Sequence, residues 1–560
     1  MFERCYGVLM QADRTRWHLI TILVVAWLAI FAGLGRGTFW EPDEPRFAEA
    51  THQMFQRGDF FTPYLNGVPR FEKPILFYWA QAVAFIAFGE NEFAARVPSA
   101  VAGIGIVILL YLLAAQVASP RAALVSALVL STMFRFVTFA RIGLTDVPVL
   151  FFIVAALYGF VCAAARASWR WVLFAWSCVG LGVLTKGPVG LLPVVIWLTY
   201  AVLIRSRSTL TRVRPLLGMA LAIAIAAPWY VLMIVEYGRA FIDFALGHEI
   251  FERVVSEASF APSRGFFYYF KVWPGDAAPW SAMFIAAVGW AVWRWRALDQ
   301  TAKRSLILAS AWFISVFIVF SLSRSKVPHY VLPAYPAAAF FIGVFVDRLA
   351  EARSGVLWWG VPMSVVAAAS VILAAAAGLF LDVLAPGDTI VKWLVPGVLG
   401  AGAAAIAYAI WNRALVPAVY ALTCMLAIVF AVIGVFIVPR VIEPFKPMPL
   451  LAREIGDLSP PGAPIGLVGA YGRSSLIYYS QRNVLFLDGD DTAVRFLSTP
   501  GAVCVMPASE YERLAPRLTG VAILARAEEF NVRVERLLER RKTPGRLWVL
   551  VGPRSGRTKS

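Results

Sequence analysis

Long apolar runs separated by short polar breaks dominate the chain. Runs near residues 18–35, 97–118, 121–139, 147–165, 169–185, 188–204, 215–235, 278–295, 305–322, 329–346, 356–381, 391–410 and 415–438 are mostly apolar. An α-helix needs roughly 20 such residues to cross a hydrocarbon layer about 30 Å thick, so the pattern predicts about 13 membrane-spanning helices. A further apolar segment, 74–89, is shorter, and hydropathy alone does not decide whether it crosses. The first run follows Glu3, Arg4, Asp13, Arg14 and Arg16, and the residues after it lack a small-residue cleavage pattern, so it reads as a retained span rather than a signal peptide.

Basic residues decide the threading. With the N-terminus cytoplasmic and 74–89 lying along the interface, the breaks at 166–170, 205–214, 294–304, 348–353 and Arg413 all fall on the cytoplasmic side, where positive charge is retained. If 74–89 crossed, every later loop would invert, and the basic, carboxylate-free loop 205–214 would lie outside. The expected external segments are then 36–96, 236–276 and the tail from about 439. In the tail, short β-rich runs (465–470, 483–487, 502–506, 547–551) alternate with helical patterns such as 532–541. The expected architecture is an all-α polytopic membrane domain, 1–438, followed by a small external α/β domain, 439–560.

Composition agrees: of 560 residues, 60% are hydrophobic and 15% charged, and the net charge is +17. The cations sit mainly in the breaks between apolar runs, which suits membrane topology and anionic lipid head groups rather than nucleic acid. Cys162, Cys178 and Cys424 lie inside apolar runs, so with Cys5 and Cys504 they indicate neither a disulfide framework nor a cysteine metal cluster.

The threading brings acidic residues to one face. Glu41-Pro42-Asp43-Glu44-Pro45-Arg46 lies in the first external loop, and Arg141-Ile142-Gly143-Leu144-Thr145-Asp146 forms the second external turn. A carboxylate abutting a span, as Asp146 does, is costly to desolvate without a cation, metal or substrate. Helix capping is the competing reading for Asp43, Glu44 and Asp146. Arg70-Phe71-Glu72-Lys73-Pro74 enters the interfacial segment: Lys73 suits a lipid phosphate, Glu72 a metal or base, and the alternative is an ordinary interface anchor. His248, in Gly247-His248-Glu249-Ile250-Phe251-Glu252-Arg253, could join Glu72 only in an open metal site, because two protein ligands do not close one. Ser323-Arg324-Ser325-Lys326-Val327-Pro328-His329-Tyr330 places cations and a tyrosine at the outer end of a span, which suits a phosphorylated lipid or an interfacial belt. No Walker loop, nucleophile elbow or dinucleotide glycine pattern is present, so the energy for a reaction must come with the substrate.

At these residues the chain resembles the GT-C membrane glycosyltransferases of the protein O-mannosyltransferase type, and among them the bacterial aminoarabinose transferases. The matching motifs are the Asp43-Glu44 pair, Phe71-Glu72-Lys73-Pro74, Arg141 with Thr145-Asp146, His248-Glu249 with Arg253, Pro279-Trp280, and Ser323, Ser325-Lys326 with Tyr330. The resemblance covers about residues 15 to 350. It implies a GT-C fold of 13 spans with interfacial helices and a periplasmic α/β domain. It also implies that Asp43 is the principal catalytic carboxylate, with Asp146 and Glu44 beside it. Arg46, Lys73, Arg253, Tyr330 and Arg473 would hold the carrier phosphate, and Glu72 and His248 a divalent metal, zinc by type. The implied reaction moves 4-amino-4-deoxy-L-arabinose from undecaprenyl phosphate to lipid A phosphate at the periplasmic face of the inner membrane, in a protein expected to be a monomer. A related transferase moving another sugar, such as mannose, to protein or glycan is the alternative within the class. A secondary transporter is the alternative outside it, disfavoured because the polar groups gather at one face and no inverted repeat is visible.

Overall fold

In a computed structural model, residues 2–245, 247, 264–352, 355–460, 462–469, 472–531 and 544–553 are described, with side chains from residue 15. The chain begins with helix α1 (Phe2–Ile30). Helix α2 (Glu44–Arg57), with Pro45 in its first turn, is amphipathic and lies in the first outer loop. A hairpin of β1 (Tyr64–Leu65) and β2 (Val68–Pro69) follows, turned by Asn66-Gly67, both at positive φ as a tight two-residue hairpin turn requires. Helix α3 (Leu76–Phe88) comes next, then α4 (Glu92–Val117), whose start is capped by the Asn91 side chain accepting from Ala94 N. At 13 residues, α3 is about 20 Å long, too short to cross by itself.

Helices α5 (Pro120–Leu130) and α6 (Phe134–Ala140) meet at a 67° bend. Helices α7 (Asp146–Arg166), α8 (Trp169–Lys186) and α9 (Leu192–Leu203) follow. Between α8 and α9 the chain reverses through Gly187–Leu191. The reversal shows in two contacts: a Cβ on Gly190 would sit 2.3 Å from the Gly182 carbonyl carbon, and the Phe160 ring touches both Trp176 and Trp197.

By length and composition, nine helices among the described residues can each cross a membrane, or ten with the bent α5–α6 pair. That figure takes Trp169–Leu203 as one span, although its two legs double back, and leaves out Thr15–Ile30 and Trp280–Arg294, which are helical but short. All 13 apolar runs of the sequence are helical. The protein is a multi-pass membrane protein.

Burial sorts these helices. Tyr335–Ala352 runs through the middle, packed on α5 where Gly343 faces Ser126; a Cβ at Gly343 would lie 2.1 Å from Ser126 Oγ and 2.5 Å from the Ala122 carbonyl oxygen, so only glycine permits the approach. Val356–Leu384 and Thr389–Trp411 instead leave most of their apolar surface exposed, Val365, Ile372 and Trp393 among it, as lipid-facing helices do.

The helical path continues past the expected boundary at 438, through Ile433–Ile442 and Glu443–Phe445. The tail proper begins with helix Pro447–Leu458, whose Met448, Leu451 and Ile455 pack on Ile465, Leu467, Val505 and Trp548 of a five-stranded sheet. Strands β3 (Ile465–Val468), β4 (Val484–Leu487) and β5 (Val503–Pro507) are parallel; β6 (Val521–Glu528) and β7 (Leu547–Pro553) complete the order β4-β3-β5-β7-β6, with β7 antiparallel to both neighbours. Strand β6 was not expected from the sequence: Val521-Ala-Ile-Leu-Ala-Arg-Ala-Glu lacks alternation because it is a half-exposed edge strand. The helix expected over 532–541 lies outside the described residues.

The tail docks on the outer loop. Tyr479 Oη accepts from Phe39 N at 2.9 Å and donates to Glu92 Oε1 at 2.7 Å. The Asn66 side chain pairs in both directions with the backbone of Val484, 2.8 Å each way. The tail, α2, α3, the start of α4 and the start of α7 therefore share one end of the molecule. Arg166, at the other end of α7 and roughly 30 Å away, marks the opposite end together with Arg212, which donates to the Ala164 carbonyl.

Candidate active site

The outer loop is fixed by Glu44 rather than by Asp43. Glu44 is buried, and both oxygens are engaged: Arg96 Nε reaches Oε1 at 2.7 Å and a terminal Arg96 nitrogen reaches Oε2 at 2.9 Å. Trp40 N donates to Oε2 and Gly143 N to Oε1, each at 2.9 Å. One carboxylate thus ties the first outer loop, α4 and the second outer turn together. The sequence grouped Glu44 with the catalytic acids; its geometry gives it a structural place and leaves no oxygen for a substrate. Arg141 is structural as well: its guanidinium caps the last carbonyls of α1, donating to Ala29, Ile30 and Ala32.

Asp43 differs from its neighbour. It occupies the residue before α2, yet its side chain makes no capping hydrogen bond. About half of the side chain is exposed, and Arg46 lies 3.5 Å from its Oδ1. Asp146 likewise caps nothing: it opens α7, and the N-cap position belongs to Thr145. Its Oδ1 meets Lys186 Nζ at 2.6 Å, and His329 Nε2 lies 3.9 Å away. The His329 ring packs tilted on Phe139, with ring centroids 4.7 Å apart.

Lys186 and His329 were not singled out from sequence. The signal was present, since Lys186 is a lone cation between two apolar runs, and such a residue has a function by default. His329 was passed over for its neighbour Tyr330, whose ring centroid lies 5.9 Å from Lys186 Nζ.

Asp146, Lys186 and Tyr330 line a cavity of about 370 Å³. Its polar wall holds Glu72, Lys73, Asp146, Lys186 and Tyr330, and its apolar wall includes Trp229, Tyr230, Ile234, Phe241 and Phe320. Burial raises the pKa of Glu72, but Arg70, at 2.9 Å, and the charges of Lys73 and Arg46 outweigh it and bring it down to about 2. Glu72 is therefore ionised at any working pH, and cations surround it. Arg70 is buried with its guanidinium over the Phe47 ring, and Lys73 donates to the Glu72 carbonyl at 2.8 Å. A pocket with cations at one end and hydrocarbon at the other suits an anion carried on an apolar chain.

Arg46 donates from Nε to Ser474 Oγ at 3.1 Å, which brings the tail to the rim. Arg473 is paired with Glu529 and stacked over Trp548, so its charge is held within the tail. His248 and Arg253 lie outside the described residues. Among the described residues, no three His, Cys, Asp or Glu side chains gather as a metal cluster.

A helical membrane domain, an outer α/β tail and a cation-lined pocket where acids from two outer loops meet define the class of molecule, a polytopic membrane protein with an outer-face anion pocket. Residues 72–232 match the family model described as dolichyl-phosphate-mannose-protein mannosyltransferase. An Aquifex aeolicus protein of unassigned function is 32% identical over 307 residues, 55% of this chain and 68% of that protein. The Pseudomonas fluorescens undecaprenyl phosphate-alpha-4-amino-4-deoxy-L-arabinose arabinosyl transferase 1 is 31% identical over 365 residues, 63% of this chain. The chain spans 64% of the length of that relative. Among solved structures, ArnT from Cupriavidus metallidurans bound to undecaprenyl phosphate shares the fold with a TM-score of 0.76 at 24% identity, covering 98% of this chain and 100% of that one. The Archaeoglobus fulgidus oligosaccharyltransferase AglB superposes with a TM-score of 0.54 at 14% identity over 90% of this chain and 71% of that one. The chain is thus a relative of the Aquifex protein and has the fold of the membrane glycosyltransferase ArnT.

Proposed function

We propose that the protein transfers 4-amino-4-deoxy-L-arabinose from undecaprenyl phosphate to a phosphate of lipid A at the periplasmic face of the inner membrane, acting as a monomer. The observation that carries this reading is the cavity in which Lys73 and Lys186 flank Asp146 and face an apolar wall. In the reaction, the bond between the anomeric carbon and the carrier phosphate oxygen breaks, and an oxygen of the acceptor phosphate bonds to that carbon. The carrier phosphate leaves with the bonding electrons, and Lys186 and Lys73 stabilise the charge it gains. Asp146 holds Lys186 in place and bears on His329. Asp43, accessible and charged, stabilises the positive charge developing at the sugar ring or holds the donor's amino group; an ionised acceptor phosphate needs no general base.

Glu72 with His248 would hold a divalent ion, zinc by ligand type, which when bound would act as a Lewis acid on the phosphate. Chelation that leaves carrier binding unchanged removes this part of the reading. The deciding experiment is mass spectrometry of lipid A from cells with and without the gene. An added aminopentose that depends on the gene supports the reading; unchanged lipid A alongside a glycosylated protein selects the alternative acceptor.

A further inference from the structure

The outer loop that carries Asp43 is gripped from the tail at one carboxylate. Glu41 accepts from Ser474 N and Ser475 N, each at 3.0 Å, and from Ser475 Oγ. Beside it, Ser474 Oγ accepts from Arg46. Gly472 stands at φ +103, where a Cβ would lie 3.4 Å from Pro42 Cβ and 3.8 Å from the Arg46 guanidinium. Residues 41, 42 and 46 bracket Asp43, and all three face the tail segment 472–475. The other ties of the tail fall elsewhere: Tyr479 to Phe39 and Glu92, Asn66 to Val484, and Lys446 to the Thr38 carbonyl.

We infer that Glu41 is a positioning residue: by clasping Ser474 and Ser475 it lets the tail domain set the placement of Asp43 and Arg46 for transfer. The inference rests on the sugar-transfer reading above. It does not make Glu41 the anchor of the whole tail, because the remaining ties persist without it.

The clasp is also placed to respond to pH. Burial pushes the Glu41 carboxyl up to about 7 against its Ser475 and Ser474 donors and the nearby charge of Arg473. The other charges around it are Asp43 and Arg46 at the start of α2, Glu529 behind Arg473, and the Lys446–Glu443 pair beyond Trp40. A carboxyl raised from 4.5 to about 7 binds its proton more tightly when clasped. The clasp is therefore strongest below pH 4.5, loosens as pH rises to about 7 and levels off above. Glutamine keeps one uncharged acceptor, enough for Ser475, and turns a donor toward Ser474 N, so it should hold the clasp in part and equally at every pH.

The test uses the full chain in lipid nanodiscs, with hydrogen exchange at the 474 and 475 amides and turnover of the undecaprenyl-phosphate-linked aminopentose. Glu41→Ala should speed exchange there by about tenfold or more after correction for intrinsic rates. It should lower kcat to a similar degree while undecaprenyl phosphate affinity stays within about twofold. Glu41→Gln should restore part of both and flatten the pH dependence of exchange between 4.5 and 7. Wild-type protection in Glu41→Ala, or lost protection with wild-type kcat, overturns the inference. Should Glu41→Ala not fold, Ser475→Ala removes only the Oγ donor and should move both readouts the same way by less; no change in either overturns the inference equally. A wild-type protein that does not turn over this donor refutes the sugar-transfer reading, while the exchange measurement still decides the clasp.

Discussion

Lys186, the last residue of α8, and Asp146, the first of α7, meet at 2.6 Å with side chains only 14% and 11% exposed. The contact joins two helix ends at the outer face and presents the lysine to the cavity. Removing one member strands the other, and leaving a largely buried charge unpaired costs about 3–5 kcal/mol. Lys186→Met and Asp146→Asn should each lower thermal stability, and the double variant should regain part of the loss, with a coupling of roughly 1–3 kcal/mol. Transfer should remain lost in the double variant, because the cation for the leaving phosphate is gone. Additive stability effects in a thermal-shift cycle would show that the contact carries no energy.

Asp43 and Glu44 are adjacent in sequence and opposite in role, so two substitutions should separate them. Asp43→Asn removes charge from a side chain that caps nothing, and should leave the melting temperature within a degree or two while cutting turnover by about 10²-fold or more. Glu44→Gln breaks the bidentate pair with Arg96 inside the protein and should destabilise by about 3–5 kcal/mol, lowering the folded yield before activity can be measured. Fluorescence size-exclusion and a turnover assay on the two variants check this; an inactive but fully stable Glu44→Gln would give that residue a chemical role.

The apolar helices and the grouping of the acids at one end were legible in the sequence because lipid demands long apolar runs and basic breaks mark the opposite end. Asp43, Glu72 and Asp146 do share one end with the tail, as the basic breaks required. The sequence could not show which of Asp43 and Glu44 turns inward, since that depends on Arg96, about fifty residues away, arriving from α4. Nor did it reveal that Arg141 caps α1, because a helix C-terminus and its partner are unrelated in sequence. Lys186 was hidden for a different reason: it falls at the sharp reversal between two apolar legs, where Gly187-Pro188 reads as a break and its charge as a boundary.

Sidedness itself is testable. The helix Arg207–Thr211 and the tail lie at opposite ends of the membrane domain, and positive charge is retained inside. In a background freed of native cysteines, Thr209→Cys should be blocked from a membrane-impermeant maleimide in intact spheroplasts, and Ser498→Cys should label. Labelling of Thr209→Cys alone would invert the orientation and move the cavity to the cytoplasmic side, and labelling of both would overturn the threading that separates the two.

Burial raises the Glu72 carboxyl, yet the nearby Arg70, Lys73 and Arg46 hold it at about 2, well below the ordinary 4.5. A carboxylate with a depressed pKa stabilises the folded state fully above its unfolded value and loses that contribution as pH falls through its folded one. The window therefore runs from about 4.5 down to 2, and neutral pH lies outside it. Between those limits the wild type should lose stability more steeply than Glu72→Gln, since the amide cannot titrate. At neutral pH the variant should be less stable, because Arg70, buried over Phe47, loses its charged partner. Melting temperatures of both proteins in the same detergent from pH 7 to 3 test this directly. Parallel curves would mean that the cations around Glu72 act on it too weakly to hold a phosphate in the same place.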